Sequence, residues 1–398
     1  MKSILLLILL TCWLSIIYHH IVYPIILKFL SKKERNKTTV VEQGITKKPT
    51  LTILVPAFNE AKYIVEKIRN VASLDYPSSK LKLIIACDGC TDATAELARE
   101  ATHEPENSQL DIEIIEFKKN RGKIAILNTV IKGIDSEIVA LSDASALISL
   151  DALNKACIYF NDSKLAVVAG TYKLLNPKST GEEKYWQYQV NIKKGESAIG
   201  SPVGVHGALY FFRRDLFKPL KADTINDDFM IPMSMVAAGY NAVYDCDIIA
   251  LELEGSDIEQ DQRRRMRIAA GNIQQLLRLH SLLTLRHKGT ALSFISGKAL
   301  RAIMPLILLA QLSIVAILSF ESSVFFYIFL SQSIVIALAR ISLVSPKFLM
   351  RESKISKTIS MIFYLTNSYI VCLFGTFRYL IGLDKGSWKS VSNKEISL

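Results

Sequence analysis

Residues 51–60 read LTILVPAFNE, an apolar, β-branched run that ends at a proline and then turns polar. Helical spacing follows over residues 60–73, and a second apolar run at 81–87 leads into the polar turn DGCTD. Strands that alternate with helices of about 10–15 residues are typical of βαβ units. This stretch therefore predicts an α/β domain built on a parallel sheet.

The same alternation continues to about residue 170. The further predicted elements are strands at 112–117, 137–141 and 165–170, and helices at 92–102, 123–132 and 151–160. Open parallel sheets bind ligands beyond the carboxyl ends of their strands. Acidic residues follow three of the predicted strands, namely Glu60, Asp88 and Asp143. Each alone also suits a turn or a helix cap, but together they predict a nucleotide site.

Two common phosphate-binding motifs are missing from this sequence. No glycine-rich loop follows the first strand, and no Walker lysine motif occurs. A diphosphate bound here would therefore need a divalent metal, Mg²⁺ or Mn²⁺, and basic side chains to neutralise it.

The apolar half of the 398 residues is concentrated near the two ends of the chain. The run from Ile4 to Leu30 is long enough to cross a bilayer core of roughly 30 Å. It lacks a small-residue cleavage site, which favours an uncleaved anchor over a signal peptide. Three further spans are predicted at Ile303–Phe320, Val324–Val344 and Ile359–Tyr379.

These patterns divide the chain into five parts. The predicted parts are an anchor at 1–30, a basic linker at 31–49, an α/β domain at 50–280, an interfacial helix at 281–300, and a membrane region with about three spans and a short tail at 301–398. Basic residues at 281–300 among apolar ones suit a helix on the membrane surface, although a plain linker fits equally.

Basic residues indicate the orientation of the first span. Only Lys2 precedes it, whereas a cluster follows it at Lys28, Lys32, Lys33, Arg35 and Lys37. The positive-inside bias places the α/β domain in the cytoplasm of a multi-pass cell-membrane protein. Basic residues flank the last span on both sides, so it is either re-entrant or leaves the tail outside.

The net charge of +11 fits an anionic membrane surface. Basic and aromatic residues are not interleaved as in single-strand nucleic-acid binders, so no nucleic-acid partner is expected. Among six cysteines, Cys87 and Cys90 form a lone C-x-x-C without a second pair at zinc spacing. Reduced thiols in a cytoplasmic domain are therefore predicted.

Seven short runs carry a family resemblance. They are VPAFNE (55–60), CDGCTDAT (87–94), NRGKIAILN (120–128), LSDAS (141–145), VHGALYFFRR (205–214), TINDDF (224–229) and QRRRMRIAAGN (262–272). In this order the set resembles family 2 glycosyltransferases, including the membrane enzymes related to cellulose, chitin, hyaluronan and poly-N-acetylglucosamine synthases. The resemblance covers roughly 50–300. It implies a GT-A catalytic domain, a Rossmann-like nucleotide-binding mixed sheet, together with α-helical transmembrane segments.

The resemblance also implies roles for individual residues. On the donor side it selects Pro56, Asn59, Glu60, Asp88, Lys123 and Asp143. Asp88 would contact the nucleoside, Lys123 would approach the donor, and Asp143 would bind the metal. Asp88 also fits a turn, and Lys123 a solvated helix face. The second acidic position of the family's D-x-D motif is Ser145 here, which is a poorer ligand for a hard cation.

On the acceptor side, Asp228 matches the family's catalytic base, since inverting transfer needs a carboxylate to take the acceptor proton. A helix N-cap is the alternative for this residue. Further acceptor or diphosphate residues are implied at His206, Gly207, Asp227, Gln262, Arg265 and Met266. The QRRRM run resembles the family's Q-x-x-R-W motif with methionine in place of tryptophan. Spacing favours Arg265 over its two neighbouring arginines, and a basic surface helix is the alternative.

The predicted function is inverting transfer of a hexose or N-acetylhexosamine from a UDP-sugar to a polysaccharide or lipid-linked acceptor at the cytoplasmic membrane face. The expected partners include membrane lipids. An export partner or a second copy of the chain is also expected, because four spans are few for an export pore. Single-sugar transfer to a lipid, such as a polyprenyl phosphate or a sphingolipid-like head group, is the first alternative. An inactive membrane scaffold and a transporter are the others.

Overall fold

A computed structural model describes residues 2–35, 48–175, 180–252, 258–344 and 354–383. The strands are β1 Leu51–Ala57, β2 Leu81–Asp88, β3 Asp111–Phe117, β4 Ile138–Ser142, β5 Ala146–Ile148, β6 Leu165–Leu174, β7 Leu209–Arg213 and β8 Asn241–Glu252. The α-helices are α1 Lys2–Ile17, α2 Tyr23–Arg35, α3 Ile64–Ala72, α4 Thr94–Thr102, α5 Lys123–Lys132, α6 Ala152–Tyr159, α7 Thr180–Ile199, α8 Asp227–Ala237, α9 Ile258–Arg278, α10 Lys288–Ser293, α11 Leu300–Leu318, α12 Ser323–Val344 and α13 Lys354–Leu380.

The eight strands form one sheet in the order β3-β2-β1-β4-β7-β6-β8-β5. The first four strands of this order are parallel, as predicted. β7 runs antiparallel to both β4 and β6, and β5 runs antiparallel to β8. β6 and β8 are parallel. The sheet is therefore mixed, which confirms the mixed sheet that the family resemblance implies, and the parallel sheet predicted from the strand–helix alternation forms its first half.

Helices cover both faces of the sheet, which explains why its central strands are apolar throughout. Adjacent residues of a strand point to opposite faces, so Ile85 packs into the core beneath α3 while Ile84 packs into the core beneath α5. Ile68 of α3 and Leu127 of α5 are fully buried in these two cores. Packing of α3 on one face and α5 on the other therefore holds in place the edge at which the parallel strands end.

Two predicted helices begin later than expected. α3 starts at Ile64 rather than at residue 60, and α4 starts at Thr94 rather than at residue 92. The reason lies in the loops: the backbone N–H of Glu60 donates to Thr94 Oγ1 at 2.8 Å, which ties the two helix starts together. Residues ahead of both helices therefore belong to the site loops.

Among the described residues, four helical segments are long and apolar enough to cross a membrane. They are Lys2–Leu30, Leu285–Leu318, Ser323–Ser342 and Ile359–Leu380. The predicted interfacial stretch 281–300 contains short turns and α10, and then continues through a π-helical turn, Phe294–Ala299, into α11. Most of the predicted basic linker, the basic loop before the last span and the tail after residue 383 lie outside the described residues.

The last of these apolar helices, α13, packs closely on the α/β domain. A Cβ added to Gly375 of α13 would lie 2.3 Å from the backbone oxygen of Met266 in α9. Only glycine allows the two backbones to approach this closely. The helix that carries the QRRRM run is therefore joined directly to the membrane region.

Candidate active site

The loops that follow β1 and β2 are locked together at the edge where the parallel strands end. Asn59 adopts a φ of 58°, a left-handed conformation that is uncommon for residues other than glycine. Its side-chain oxygen accepts a hydrogen bond from the backbone N–H of Thr91 at 2.8 Å. Pro56 lies within β1 and is buried, rather than following the strand. Asn59 thus fixes the conformation of the loop, and Pro56 belongs to the strand that precedes the loop.

Asp88 holds the loop that leads into α5. It is fully buried, and its carboxylate accepts hydrogen bonds from the backbone N–H groups of Arg121 at 2.7 Å and Gly122 at 2.8 Å. Gly89 follows with a φ of 64°, and a Cβ there would lie 2.3 Å from the backbone nitrogen of Asn120. The contacts of Asp88 in this structure order the loop before Lys123, which corresponds to the turn role considered as its alternative.

Lys123 joins two acidic groups from distant parts of the chain. Its Nζ lies 3.2 Å from Asp227 Oδ2 and 3.5 Å from Asp143 Oδ1. Burial opposes its charge, but Asp227, Asp143 and Asp228 outweigh burial and raise the pKa of Lys123 above its usual value. Lys123 is therefore a charged group inside the site and not part of a solvated helix face.

Asp228 lies in the first turn of α8, one residue after Asp227. Asn226 occupies the N-cap position, so Asp228 is not the cap residue. Burial and the adjacent Asp227 raise the pKa of Asp228, whereas Lys123 lowers it. A carboxylate with a raised pKa is a better proton acceptor, which is what general-base catalysis requires.

Gly207 lies next to the two carboxylates predicted to be the catalytic base and the metal ligand, Asp228 and Asp143. A Cβ added at Gly207 would lie 3.5 Å from Asp228 Oδ2 and 3.7 Å from Asp143 Oδ2. Glycine therefore leaves room between the two acidic groups. The residue predicted as the base and the residue predicted as the metal ligand face each other across this opening.

An aromatic cluster forms one wall beside this opening. His206 stacks on Tyr172 with ring centroids 4.0 Å apart, and Trp186 meets His206 edge-on at 5.3 Å. Burial, Arg264 and Lys123 hold the pKa of His206 well below its usual value, so the ring is neutral near pH 7. A neutral aromatic wall of this kind suits contact with a sugar ring.

The structure reverses the choice between two arginines of the QRRRM run. Arg265 turns toward the membrane region, where it donates to Tyr364 and, at 2.9 Å, to Ser368 Oγ. A guanidinium nitrogen of Arg264 instead lies 3.3 Å from His206 Nε2. Successive helical residues point about 100° apart. Neighbouring arginines of α9 can therefore point in different directions, one toward the site and the next toward α13. Arg264, and not Arg265, reaches the acidic site.

The other two residues predicted from this run also lie on α9. Gln262 is in the early part of the helix, and the backbone of Met266 packs against Gly375 of α13. The position at which the family has tryptophan is therefore in contact with the last membrane helix here.

Glu252 was not predicted from the sequence, yet it belongs to the acidic cluster. It ends β8, where it pairs with Ala146, and it accepts a hydrogen bond from Ser145. Burial and Asp143 raise the pKa of Glu252. The serine in the D-x-D position thus binds a carboxylate that arrives from another strand, a pairing visible only once β5 and β8 are aligned.

Lys67 is a second residue that sequence reasoning missed. Its side chain is fully buried behind the acidic cluster, where it donates to Ser142 Oγ at 2.6 Å and to the backbone oxygen of Ala146. Burial lowers the pKa of Lys67 to about 7, while Asp143 and Glu252 oppose that shift. Its place in an amphipathic helix gave no signal, since a lysine there is normally exposed.

Glu60 adds a further acidic group close to Asp143. Burial, followed by Asp143 and Glu252, raises the pKa of Glu60 to about 7. The hydroxyl of Tyr210 is buried near Asp227, Asp228 and Asp143, and it has no hydrogen-bond partner among the described residues. Buried polar atoms are nearly always satisfied by protein or water, so this hydroxyl marks a place where a ligand or water belongs.

The residues around Asp143 fit a hard divalent cation. Mg²⁺ is commonly held by one or two carboxylates together with substrate phosphates. Asp143 offers that carboxylate, with the carboxyl groups of Glu60 and Glu252 around it. A separate group, Asp245, Cys246 and Asp247, brings its ligand atoms within 4.8 Å of one another, but Asp245 already accepts from Tyr159.

Comparisons with known proteins identify the family and the fold of the chain. The family model described as glycosyltransferase like family 2 matches residues 49–271, more than half of the chain. Poly-beta-1,6-N-acetyl-D-glucosamine synthase from Staphylococcus epidermidis is 26% identical over 258 residues, which cover 63% of this chain and 61% of that protein. The protein of that name from Staphylococcus aureus strain COL is 26% identical over 257 residues, 61% of each chain.

The alignments thus span about three fifths of the length of these curated relatives. Among solved structures, the mannosyltransferase PcManGT from Pyrobaculum calidifontis, in complex with GDP-Man and Mn²⁺, has a TM-score of 0.70 at 20% identity. The superposition covers 94% of this chain and 99% of that one. The likeness extends over most of the chain and confirms the GT-A fold that the sequence motifs predict.

Proposed function

Because the chain belongs to the family 2 glycosyltransferases, we propose that it transfers a hexose or N-acetylhexosamine from a UDP-sugar with inversion at the anomeric carbon. The observation that carries this proposal is the convergence of Asp143, Lys123, Asp227 and Asp228 around Gly207. It provides a charged region for a diphosphate next to a carboxylate suited to proton abstraction.

On the donor side, we assign Asp143 as the metal ligand and Lys123 as a cation beside the leaving group. A bound Mg²⁺ or Mn²⁺ would neutralise charge on the departing nucleoside diphosphate. Lys123 would add positive charge on the same side, and Arg264 is the arginine best placed to assist. The Mn²⁺ named with the mannosyltransferase structure supports a divalent metal here as well.

On the acceptor side, Asp228 takes the proton of the acceptor hydroxyl. That oxygen forms a bond to the anomeric carbon while the bond from this carbon to the diphosphate breaks, and the diphosphate leaves with the bonding electrons. Attack from the face opposite the leaving group inverts the configuration. The beta linkage in the name of the staphylococcal relatives supports inversion of an α-linked donor.

The aromatic wall of Tyr172, Trp186 and His206 is assigned to the acceptor sugar. It lies beside Arg264 and faces the same site as Asp228. Because Met266 contacts α13, this wall supplies aromatic surface that the family's tryptophan would otherwise provide. The relatives' name supports a growing N-acetylglucosamine polymer as the acceptor.

We place the reaction at the cytoplasmic membrane face. The cluster of basic residues after the first span and the four apolar helices support this orientation. Nucleotide sugars are made in the cytoplasm, so the donor would reach the site from that side. An acceptor held at the membrane, whether a glycan or a lipid, would approach along α9 and α13.

The proposal is tested by nucleotide release from purified protein. UDP-, GDP- and dTDP-sugars are supplied in turn, with Mg²⁺ or Mn²⁺, in the presence of membrane lipid extract. We expect release from a UDP-sugar that is lost on chelation of the metal and in the Asp143→Ala variant. Asp245→Asn, which alters the separate acidic group, is the matched control and should keep full release.

Product length separates the two kinds of acceptor. A polymerising enzyme yields longer products as the donor rises, whereas single transfer to a lipid yields a product of constant size. Release from no donor, or release that survives Asp143→Ala in saturating Mg²⁺, would contradict the proposed donor site.

A further inference from the structure

A cavity lies where the membrane helices meet the α/β domain, outside the catalytic opening. Its volume is about 60 Å³. The residues that matter for its chemistry are His19, Tyr23, Lys193, Glu196, Lys298 and Arg301. The first two come from the N-terminal apolar segment and the next two from α7. Lys298 lies in the π-helical turn before α11, and Arg301 lies in the first turn of α11.

Cationic groups outnumber acidic ones in this cavity. Lys193, Lys298 and Arg301 line it, whereas Glu196 is the one carboxylate that lines it within the described parts of the chain. Glu196 is buried and already bound: it accepts from Tyr23 at 3.2 Å, from Lys193 at 3.2 Å and from the backbone N–H of Val203 at 2.9 Å. Lys193 therefore largely neutralises the negative charge of Glu196.

Lys298 is the lysine that this arrangement leaves without a carboxylate at ion-pair distance among the described residues. Its Nζ donates to the side-chain oxygen of Asn272 at 2.7 Å and lies 3.9 Å from the centre of the Phe229 ring. Both are neutral groups. Burial disfavours the charged form of Lys298, and so does repulsion from Arg301 and Lys193, whereas Asp228 and Glu196 favour that form. An anion in the cavity would relieve that repulsion.

The position of the cavity indicates where such an anion comes from. Lys298 and Arg301 belong to a segment apolar enough to cross a membrane, as do His19 and Tyr23. Charged residues in such segments are costly, and those retained commonly bind ions, substrates or lipid head groups. A ligand with a charged head and an apolar chain fits this position, because the head can pair with the cations of the cavity while the chain contacts the apolar helices.

We propose that this cavity binds the phosphate head group of a membrane lipid. The head group would pair with Lys298 and Arg301, and Tyr23 would stay on Glu196. Phe229, which contacts Lys298, directly follows Asp228 in α8, so the bound head group lies next to the helix that carries the proposed base. The binding itself does not depend on the proposed sugar transfer.

Binding is measured on the purified full-length chain in neutral detergent by native mass spectrometry. The probes are phosphatidic acid and farnesyl phosphate, and their uncharged counterparts are diacylglycerol and farnesol. We expect at least one phosphate lipid to bind and its uncharged counterpart not to. Lys298→Gln should weaken that binding by about tenfold or more, since it removes a charge-assisted contact.

Two further variants keep the test decisive. Arg286→Gln removes an exposed cation of the same segment that does not line the cavity, and should bind like the wild type. Glu196→Gln removes the negative charge and should tighten binding, an effect that damage to the fold would not produce. Lys298→Arg keeps the charge and should retain binding.

The two probes also identify the source of the phosphate. Binding of farnesyl phosphate alone would assign the cavity to an isoprenoid phosphate, and binding of phosphatidic acid alone to a phospholipid; binding of both supports the phosphate class. The proposal is overturned if neither phosphate lipid binds, if the uncharged lipids bind equally well, or if Lys298→Gln binds like Arg286→Gln.

Discussion

Lys123 Nζ lies 3.2 Å from Asp227 Oδ2, although the two residues begin different helices more than a hundred positions apart in the chain. The same nitrogen is 3.5 Å from Asp143. One ammonium group thus links the donor half and the acceptor half of the site. Its positive charge also lowers the pKa of Asp228, the neighbour of Asp227.

Replacing Lys123 should therefore change the pH dependence of transfer. In Lys123→Met the cation that lowers the pKa of Asp228 is gone, so that pKa rises and the base stays protonated to higher pH. The acidic limb of the rate profile should move upward by about one pH unit or more. Transfer rates measured across pH test this, with Lys123→Arg as the charge-preserving control. An unmoved limb in Lys123→Met would show that the two residues are not coupled.

The two arginines of α9 should fail in different ways. Arg264→Gln removes a cation from the site and should lower transfer with little change in thermal midpoint. Arg265→Gln removes the contacts to Tyr364 and Ser368 and should cost roughly 1–3 kcal/mol of stability while sparing donor affinity. Activity and thermal midpoint in detergent are measured for both. The same pattern of losses in both variants would argue against this division.

Gly271 allows α9 to pack on the start of α8. A Cβ there would lie 2.3 Å from Asn226 Nδ2, so Gly271→Ala must displace the residue that caps α8. We expect transfer to fall by about tenfold or more while donor affinity changes little, because small displacements of catalytic groups are costly. Gly133→Ala is the control, since its Cβ would meet its nearest atom at an ordinary 3.6 Å. Full activity of Gly271→Ala would contradict the tight packing.

Glu60 should make the protein less stable as pH rises toward neutrality. Its pKa is 4.5 in the unfolded chain and about 7 in the folded one, so between these values the folded state binds more protons. Stability from this residue is complete below pH 4.5 and is lost as pH rises through 7, by roughly 1–3 kcal/mol. Glu60→Gln should flatten that part of the thermal-midpoint curve. An identical slope in wild type and variant would rule out Glu60 as its source.

The sequence was most informative where structure is local. The alternation of apolar runs and helical spacings predicted β1 to β4, α6, β6 and the helices between the first four strands, because those connections are short and follow one pattern. The positions of β5, β7 and β8 were not predicted, since their pairings join residues far apart in the chain. Those pairings bring Glu252 to Ser145, which explains why this carboxylate was missed.

Side-chain direction was the other feature beyond the reach of the sequence. Family spacing favoured Arg265, but the packing of α13 on α9 turns that residue away and leaves Arg264 at the site. Lys67 occupies an ordinary helical position. It can be buried because Ser142 Oγ and the backbone oxygen of Ala146 accept hydrogen bonds from its ammonium group. In contrast, Asp143 directly follows β4 and Asp228 lies in the first turn of α8, and the two carboxylates lie on either side of Gly207.

The most direct test of the account compares donor binding and transfer in Asp228→Asn. The change removes the proposed base but leaves Asp143 and Lys123 in place, so the donor should bind as in the wild type while transfer falls by about 10²–10⁴-fold. Asp223→Asn, an exposed carboxylate on the preceding loop, is the matched control and should transfer normally. Transfer by Asp228→Asn at the rate of this control would contradict the central claim that Asp228 accepts the acceptor proton.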